Sequence, residues 1–250
     1  MYDWEKRLSA EIPDLLKVFK TEKVEKILDV GSSTGEHVIK LGIEGYDSWG
    51  LETSSLINKI AQEKRNKLPE SIRYKIKFVK GKYEHTARLL PSDFHVAMFL
   101  GNALSHVLSS HKNILKDIAK KMDAKKAMFI FQISNSQKVL KNNKGLREFV
   151  VRKSPLPYEQ EHAFLRFYTK GSGEILSSLA MFDFAGGKWG FSGMHSTSIQ
   201  PVGEKEILSM LKSIGFSKIK TYGGYSYGPL FKEPFNEDTS DWLNVIAKRG

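Results

Sequence analysis

The sequence predicts an α/β fold: a doubly wound, mostly parallel sheet interrupted by an antiparallel β insertion. Three observations carry this. Short apolar strands alternate with helix-patterned segments up to about residue 135. Two of those strands, "HVAMFL" (95–100) and "AMFIFQI" (127–133), are almost continuously apolar, as strands covered by helices on both faces are. From 136 to 199 long β-like segments joined by glycine-bearing turns take over, before alternation resumes. Strand–helix–strand repetition at this spacing implies right-handed crossovers. Residues 1–135 and 200–250 are therefore expected to form one core. Residues 136–199 are expected to form an insertion in the same domain, a lid over its ligand cleft.

Each element follows from its own pattern. Trp4, Leu8, Ile12, Leu15, Leu16 and Phe19 recur at helical spacing, with Pro13 placed to start a second helical segment. "KILDV" (26–30) is a strand that ends in the turn "GSSTG" and runs into the helix "EHVIKLG". "YDSWGLE" (46–52) reads as a strand and "SSLINKIAQEKRNKL" (54–68) as the helix after it. Over 72–79, Ile72, Tyr74, Ile76 and Phe78 alternate with Arg73, Lys75 and Lys77, which predicts a strand wet on one face at a lysine-protected sheet edge. "SSHKNILKDIAKKM" (109–122) has a helical period. In the insertion, "HAFLRFYTK", "EILSSLAMFDF" and "KWGFSGMHSTSI" predict antiparallel hairpins, whose aromatic residues would form a small core or stack on an acceptor. Ile207, Met210, Leu211 and Ile214 mark a further helix closed by Gly215, and "FSKIKTY" and "DWLNVIAKR" complete the pattern.

Composition removes several function classes. The 250 residues include no cysteine, which excludes disulfides, thiolate nucleophiles and thiolate metal sites. No apolar run approaches the roughly 18 residues of a membrane span, and the first residues lack a signal peptide's apolar centre. A cytoplasmic protein is expected. The 39 Lys and Arg against 28 Asp and Glu give a net charge of +11, with a basic cluster over residues 62–82. Such a run is ordinarily a solvated surface; nucleic acid or an acidic protein surface is the alternative partner. No zinc-type histidine–carboxylate pattern, serine-hydrolase elbow or P-loop is present, so no metal site is expected.

The strongest chemical signal is "ILDVGSSTGEHVIKL" (27–41), a strand, a glycine-rich turn and a helix start. Such a turn brings a ligand's polar groups to the backbone and the helix N-terminus. Gly31 and Gly35 flank Ser33, which does not fit the G-x-G-x-x-G dinucleotide fingerprint and disfavours a nicotinamide enzyme. The segment resembles motif I of class I S-adenosylmethionine-dependent methyltransferases, with Asp29, Gly31 and Gly35 in place and Ser33 replacing the middle glycine. "LGNALSHV" (100–107) is similar to the G-N-x-L-x-H segment of the glycine/sarcosine N-methyltransferase-like branch, and the likeness extends over nearly the whole chain.

That resemblance implies a Rossmann-like seven-stranded sheet, S-adenosyl-L-methionine as cofactor with S-adenosyl-L-homocysteine as product, and methyl transfer to nitrogen of a small-molecule acceptor by direct in-line displacement. It implies that Arg7 holds the methionine carboxylate and that Glu52, ending the second strand, takes the ribose hydroxyls. Asp29, Gly31, Ser32, Gly35, Thr53, Leu100 and Gly101 complete the cofactor set. Lys82 occupies the place of the usual adenine-binding Asp, with Tyr83 as a substitute contact. Asn102 and His106 are the expected catalytic residues, beside the methyl group and the acceptor. Trp4, Asn135, Arg166 and His195 are expected to line the acceptor site, Thr197 with them. Ser134 stands where glycine methyltransferases carry a carboxylate-binding Arg, which argues against glycine as acceptor. Two other classes stay open: an RNA or protein methyltransferase using the basic surface, and a non-catalytic cofactor-binding or regulatory protein. The sequence carries no reading of oligomeric state.

Overall fold

The computed structural model describes residues 3–110, 113–141, 146–153 and 161–250. Asp3 accepts a hydrogen bond from the Lys6 N–H and caps helix α1 (Trp4–Glu22). Pro13 lies inside α1 and does not begin a second segment. Burial of Ile12, Leu15 and Phe19 on the sheet offsets the one backbone bond it removes. Strand β1 (Lys26–Val30) turns into α2 (Glu36–Ile43), and β2 (Asp47–Glu52) into α3 (Ser55–Asn66).

The strand expected at 72–79 is displaced. Pro69 opens a single helical turn, α4 (Glu70–Arg73), closed by the Ile72 and Arg73 N–H groups on the Pro69 carbonyl, so β3 is Ile76–Lys80. After a 3₁₀ turn (Tyr83–His85) come α5 (Thr86–Leu89) and β4 (Val96–Phe99). The helix expected at 109–122 is two: α6 (Ala103–Ser110), which begins within the "GNALSH" segment, and α7 (Ile114–Ala119). Strand β5 (Met128–Ser134) leads to α8 (Ser136–Lys141) and β6 (Leu146–Lys153), neither read from the sequence. The three predicted insertion strands follow as β7 (Glu161–Lys170), β8 (Ile175–Ala185) and β9 (Lys188–Ile199). Helix α9 (Glu204–Ser213), β10 (Phe216–Gly224) and β11 (Trp242–Arg249) end the chain.

Among the described residues the main sheet has seven strands in the order β10-β11-β5-β4-β1-β2-β3. Strands β1 to β5 pair in parallel, whereas β11 is antiparallel to β5 and β10 to β11. The chain winds outward from β1 in both directions, so a crevice opens between the C-terminal ends of β1 and β4.

Strand β5 shows how both faces are covered. Met128 and Ile130 pack with Ile12, Leu15 and Phe19 of α1; Phe129 and Phe131 pack with Leu104, Val107 and Leu115 on the opposite side. The period-2 alternation carries the next residue, Gln132, toward the α1 side. The second sheet, β6-β7-β8-β9, is wholly antiparallel. It joins the core where the Gln200 N–H donates to the Ser105 carbonyl of α6 at 3.0 Å.

Candidate active site

The crevice is a cavity of about 800 Å³, lined by the loops that follow β1, β2, β3 and β4, by α1, and by β9 of the second sheet. That volume suits a small organic ligand. The loop after β1 forms its floor. Gly31 has φ +75°, and a Cβ there would lie 3.0 Å from that of Ala103, so both conformation and space select glycine. Ser33 adopts φ +51°, a conformation costing an L residue roughly 1–2 kcal/mol. Its N–H donates to Glu52 Oε2 at 3.1 Å, and the Ser54 N–H donates to Glu52 Oε1 at 2.9 Å. One buried carboxylate at the end of β2 thus ties two ligand loops together while lining the cavity.

The α1 side holds a buried polar network that the sequence reading did not find. Arg7 Nε donates to both oxygens of Glu11 at 3.1 Å, and its Nη2 donates to Gln132 Oε1 at 2.8 Å. Gln132 Nε2 donates to Glu11 Oε1 at 2.7 Å, and its Oε1 also accepts from the Gly101 N–H at 2.9 Å. His37 Nε2 pairs with Glu11 Oε2 at 2.7 Å. Burial works against the Glu11 charge, but the His37 hydrogen bond and the His37 and Arg7 charges outweigh it and hold the carboxyl down to about 2. Asp29, on the floor, is pushed up to about 6 by burial, against the opposing His37 and Arg7 charges. Tyr83 is raised above the ordinary phenol range by burial and then by Glu52. Enclosure and the nearby Arg166 charge hold His106 below the ordinary imidazole value.

Of the sequence-predicted residues, Trp4, Arg7, Asp29, Gly31, Ser32, Glu52, Thr53, Lys82, Tyr83, Leu100, Gly101, His106 and His195 line this one cavity, together with Thr197. Arg7 is 6% exposed, not a surface helix residue. Four do not line it. Gly35 has φ +85° and is the N-cap of α2, where a Cβ would collide with the Phe78 ring, so conformation and space both select glycine. Asn102 is buried at φ +69°, and its Oδ1 accepts from the Ser134 N–H at 3.0 Å. Asn135 is buried, and its Nδ2 donates to the Glu237 and Ser240 carbonyls. Arg166 stands on β7 close enough to His106 to bias its charge.

Ser33, His37, Ile57, Glu84 and Ala103 also line the cavity. The available signal for Glu11 was its place one turn from Arg7 on the buried stripe of α1. The basic segment is partly neutralised: Lys64 pairs with Glu36 and Lys77 with Asp47. Among the described residues no group of three or more His, Asp or Glu is placed to hold a metal ion, and no helix is long and apolar enough to cross a membrane.

Strand order, the antiparallel last pair and the ligand loops at the β1/β4 crevice define the class I methyltransferase fold, as the sequence resemblance implied. No protein-family model matches the chain. The glycine/sarcosine N-methyltransferase of Aphanothece halophytica is 21% identical over 250 residues, covering 100% of this chain and 85% of that protein. A crystal structure of an S-adenosylmethionine-dependent methyltransferase from Clostridium acetobutylicum superposes with a TM-score of 0.71 at 14% identity, covering 100% and 93% of the two chains. The glycopeptide N-methyltransferase MtfA in complex with S-adenosyl-L-homocysteine superposes with a TM-score of 0.61 at 14% identity, covering 94% and 85%.

Proposed function

We propose that this protein is an S-adenosylmethionine-dependent methyltransferase acting on nitrogen of a small-molecule acceptor. The observation that carries the reading is the convergence of Arg7, Asp29 and Glu52 on one cavity at the β1/β4 crevice, roofed by His195 and Thr197. The residues fit the cofactor. Its carboxylate calls for a guanidinium, its ammonium for a carboxylate, and its ribose diol for a second carboxylate. The buried Ser32 hydroxyl, which lines the cavity and has no hydrogen-bond partner among the described residues, is a further polar group for the ligand. The N-methyltransferases the chain resembles support nitrogen as the methylated atom.

When bound, the cofactor supplies a sulfonium methyl already activated for direct displacement. The chain's task is then to orient two reactants and exclude water. In this reading Arg7 and Asp29 hold the amino-acid end, Glu52 the ribose, and Tyr83 with Lys82 the adenine end. His106, held below the ordinary imidazole value by burial and the Arg166 charge, accepts the acceptor's proton. Trp4, His195 and Thr197 contact the acceptor, and the described strands β7, β8 and β9 act as its lid, residues 142–145 and 154–160 of the expected 136–199 insertion lying outside the described residues. Glycine is not carried over as the acceptor because Ser134 replaces the carboxylate-binding Arg.

Incubating the protein with methyl-labelled S-adenosyl-L-methionine and a cell extract, then separating small molecules, RNA and protein, tests this. Label is expected among the small molecules. Label in RNA or protein, lost steeply with added salt, would instead make the basic surface the substrate platform. Cofactor binding without label in any fraction would favour the non-catalytic alternative.

A further inference from the structure

We propose that Glu11 is a positioning residue that orients Arg7 for the carboxylate of the ligand's amino-acid end; this rests on the methyltransferase reading. An arginine chain holds about 2 kcal/mol of rotamer entropy, so a preformed guanidinium binds better than a mobile one. Here the guanidinium is held from several directions while Arg7 still lines the cavity. Glu11 takes Nε with both oxygens, and Gln132 takes Nη2. The Trp4 ring covers it with a centroid 5.0 Å from the Arg7 Cζ. Gly101 approaches so closely that a Cβ there would lie 3.1 Å from both terminal nitrogens.

Charge alone does not account for this arrangement. A carboxylate bonded to Arg7 weakens its attraction for a second carboxylate, so an acid kept there acts through geometry. Glu11 in turn is braced by His37 from α2 and by Gln132 from β5. Side chains from three elements, α1, α2 and β5, thus set the plane of one side chain. The network lies at the α1 end of the site and touches neither Glu52 nor Tyr83 among the contacts described.

The test compares two ligands by calorimetry. S-adenosyl-L-homocysteine carries the amino-acid end, whereas 5′-methylthioadenosine lacks it. Glu11→Gln should weaken binding of the first about tenfold, the scale on which supporting residues act. Binding of the second should change by less than roughly twofold, or about 0.4 kcal/mol. Equal losses for both ligands, or no loss for either, would overturn the proposal, since a merely structural role cannot tell the two apart. If Glu11→Gln does not fold, Gln132→Met, which removes the brace and leaves the acid, should show the same asymmetry at smaller size, and equal losses would again overturn it. Failure of the natural protein to bind either ligand would remove the methyltransferase reading itself and this inference with it.

Discussion

The two sheets of this protein treat their aromatic side chains in opposite ways. In the seven-stranded sheet Phe99, Phe129 and Phe131 are fully buried and packed on one another, the closest ring centroids being 5.4 Å apart. In the four-stranded sheet Phe191 is 64% exposed and Trp189 44%, although Phe182–Phe191 and Phe184–Trp189 still pair across strands at 5.6 and 5.2 Å. The first sheet is packed on both faces, and it supplies the loops that form the cavity floor. The second contributes His195 and Thr197 to the cavity lining, and in the proposed reading its sequence is the part that follows the acceptor. Stability and cofactor binding should therefore depend on one sheet and acceptor recognition on the other.

The largest contrast should come from truncating a core ring. Phe131→Ala is expected to destabilise by about 3–5 kcal/mol in denaturant titration, as cavity-forming aromatic substitutions do. Next, Glu52→Ala should weaken S-adenosyl-L-homocysteine binding by about tenfold or more, because it removes the proposed charge-assisted ribose contact and the acceptor of the Ser33 and Ser54 N–H groups. His195→Ala in the roof should leave that affinity unchanged and raise KM for the acceptor. A loss of cofactor affinity in the roof variant would collapse the distinction between the sheets.

The pH dependence sharpens it further. Asp29, raised to about 6, must ionise to meet a cation, so cofactor affinity should fall about tenfold per unit as pH drops below 6, with proton release measurable by calorimetry in two buffers. For folding the signs differ. The stability associated with the raised Asp29 is present below 3.8 and lost as pH rises through about 6. That associated with Glu11 is present above 4.5 and lost as pH falls toward about 2. Glu11→Gln should flatten the acid limb of a stability-against-pH curve. Smallest of all, Phe191→Ser should shift stability by no more than about 0.5 kcal/mol, the range of ordinary surface changes.

Legibility followed the range of the interactions. The β1 turn, the Glu52 strand end and the three hairpin strands were readable because a few neighbouring residues decide them. The displaced β3 shows the limit: Ile72 and Tyr74 mimicked strand alternation, but Pro69 committed the chain to a helical turn, leaving Tyr74 62% exposed. The Asn102 contact was illegible for a related reason, since its Oδ1 is held by the Ser134 N–H, 32 residues away.

By itself the sequence determined the alternation of strands and helices, the buried stripe of α1, the glycine turn and the carboxylates at the strand ends. These follow from backbone geometry and apolar periodicity within each segment. Only the tertiary structure decided which polar residues meet. Glu11 is joined to His37 across 26 residues and to Gln132 across 121, and no local pattern encodes such pairs. They exist because the packed core sets α1, α2 and β5 side by side, where burial obliges every charge to find a partner.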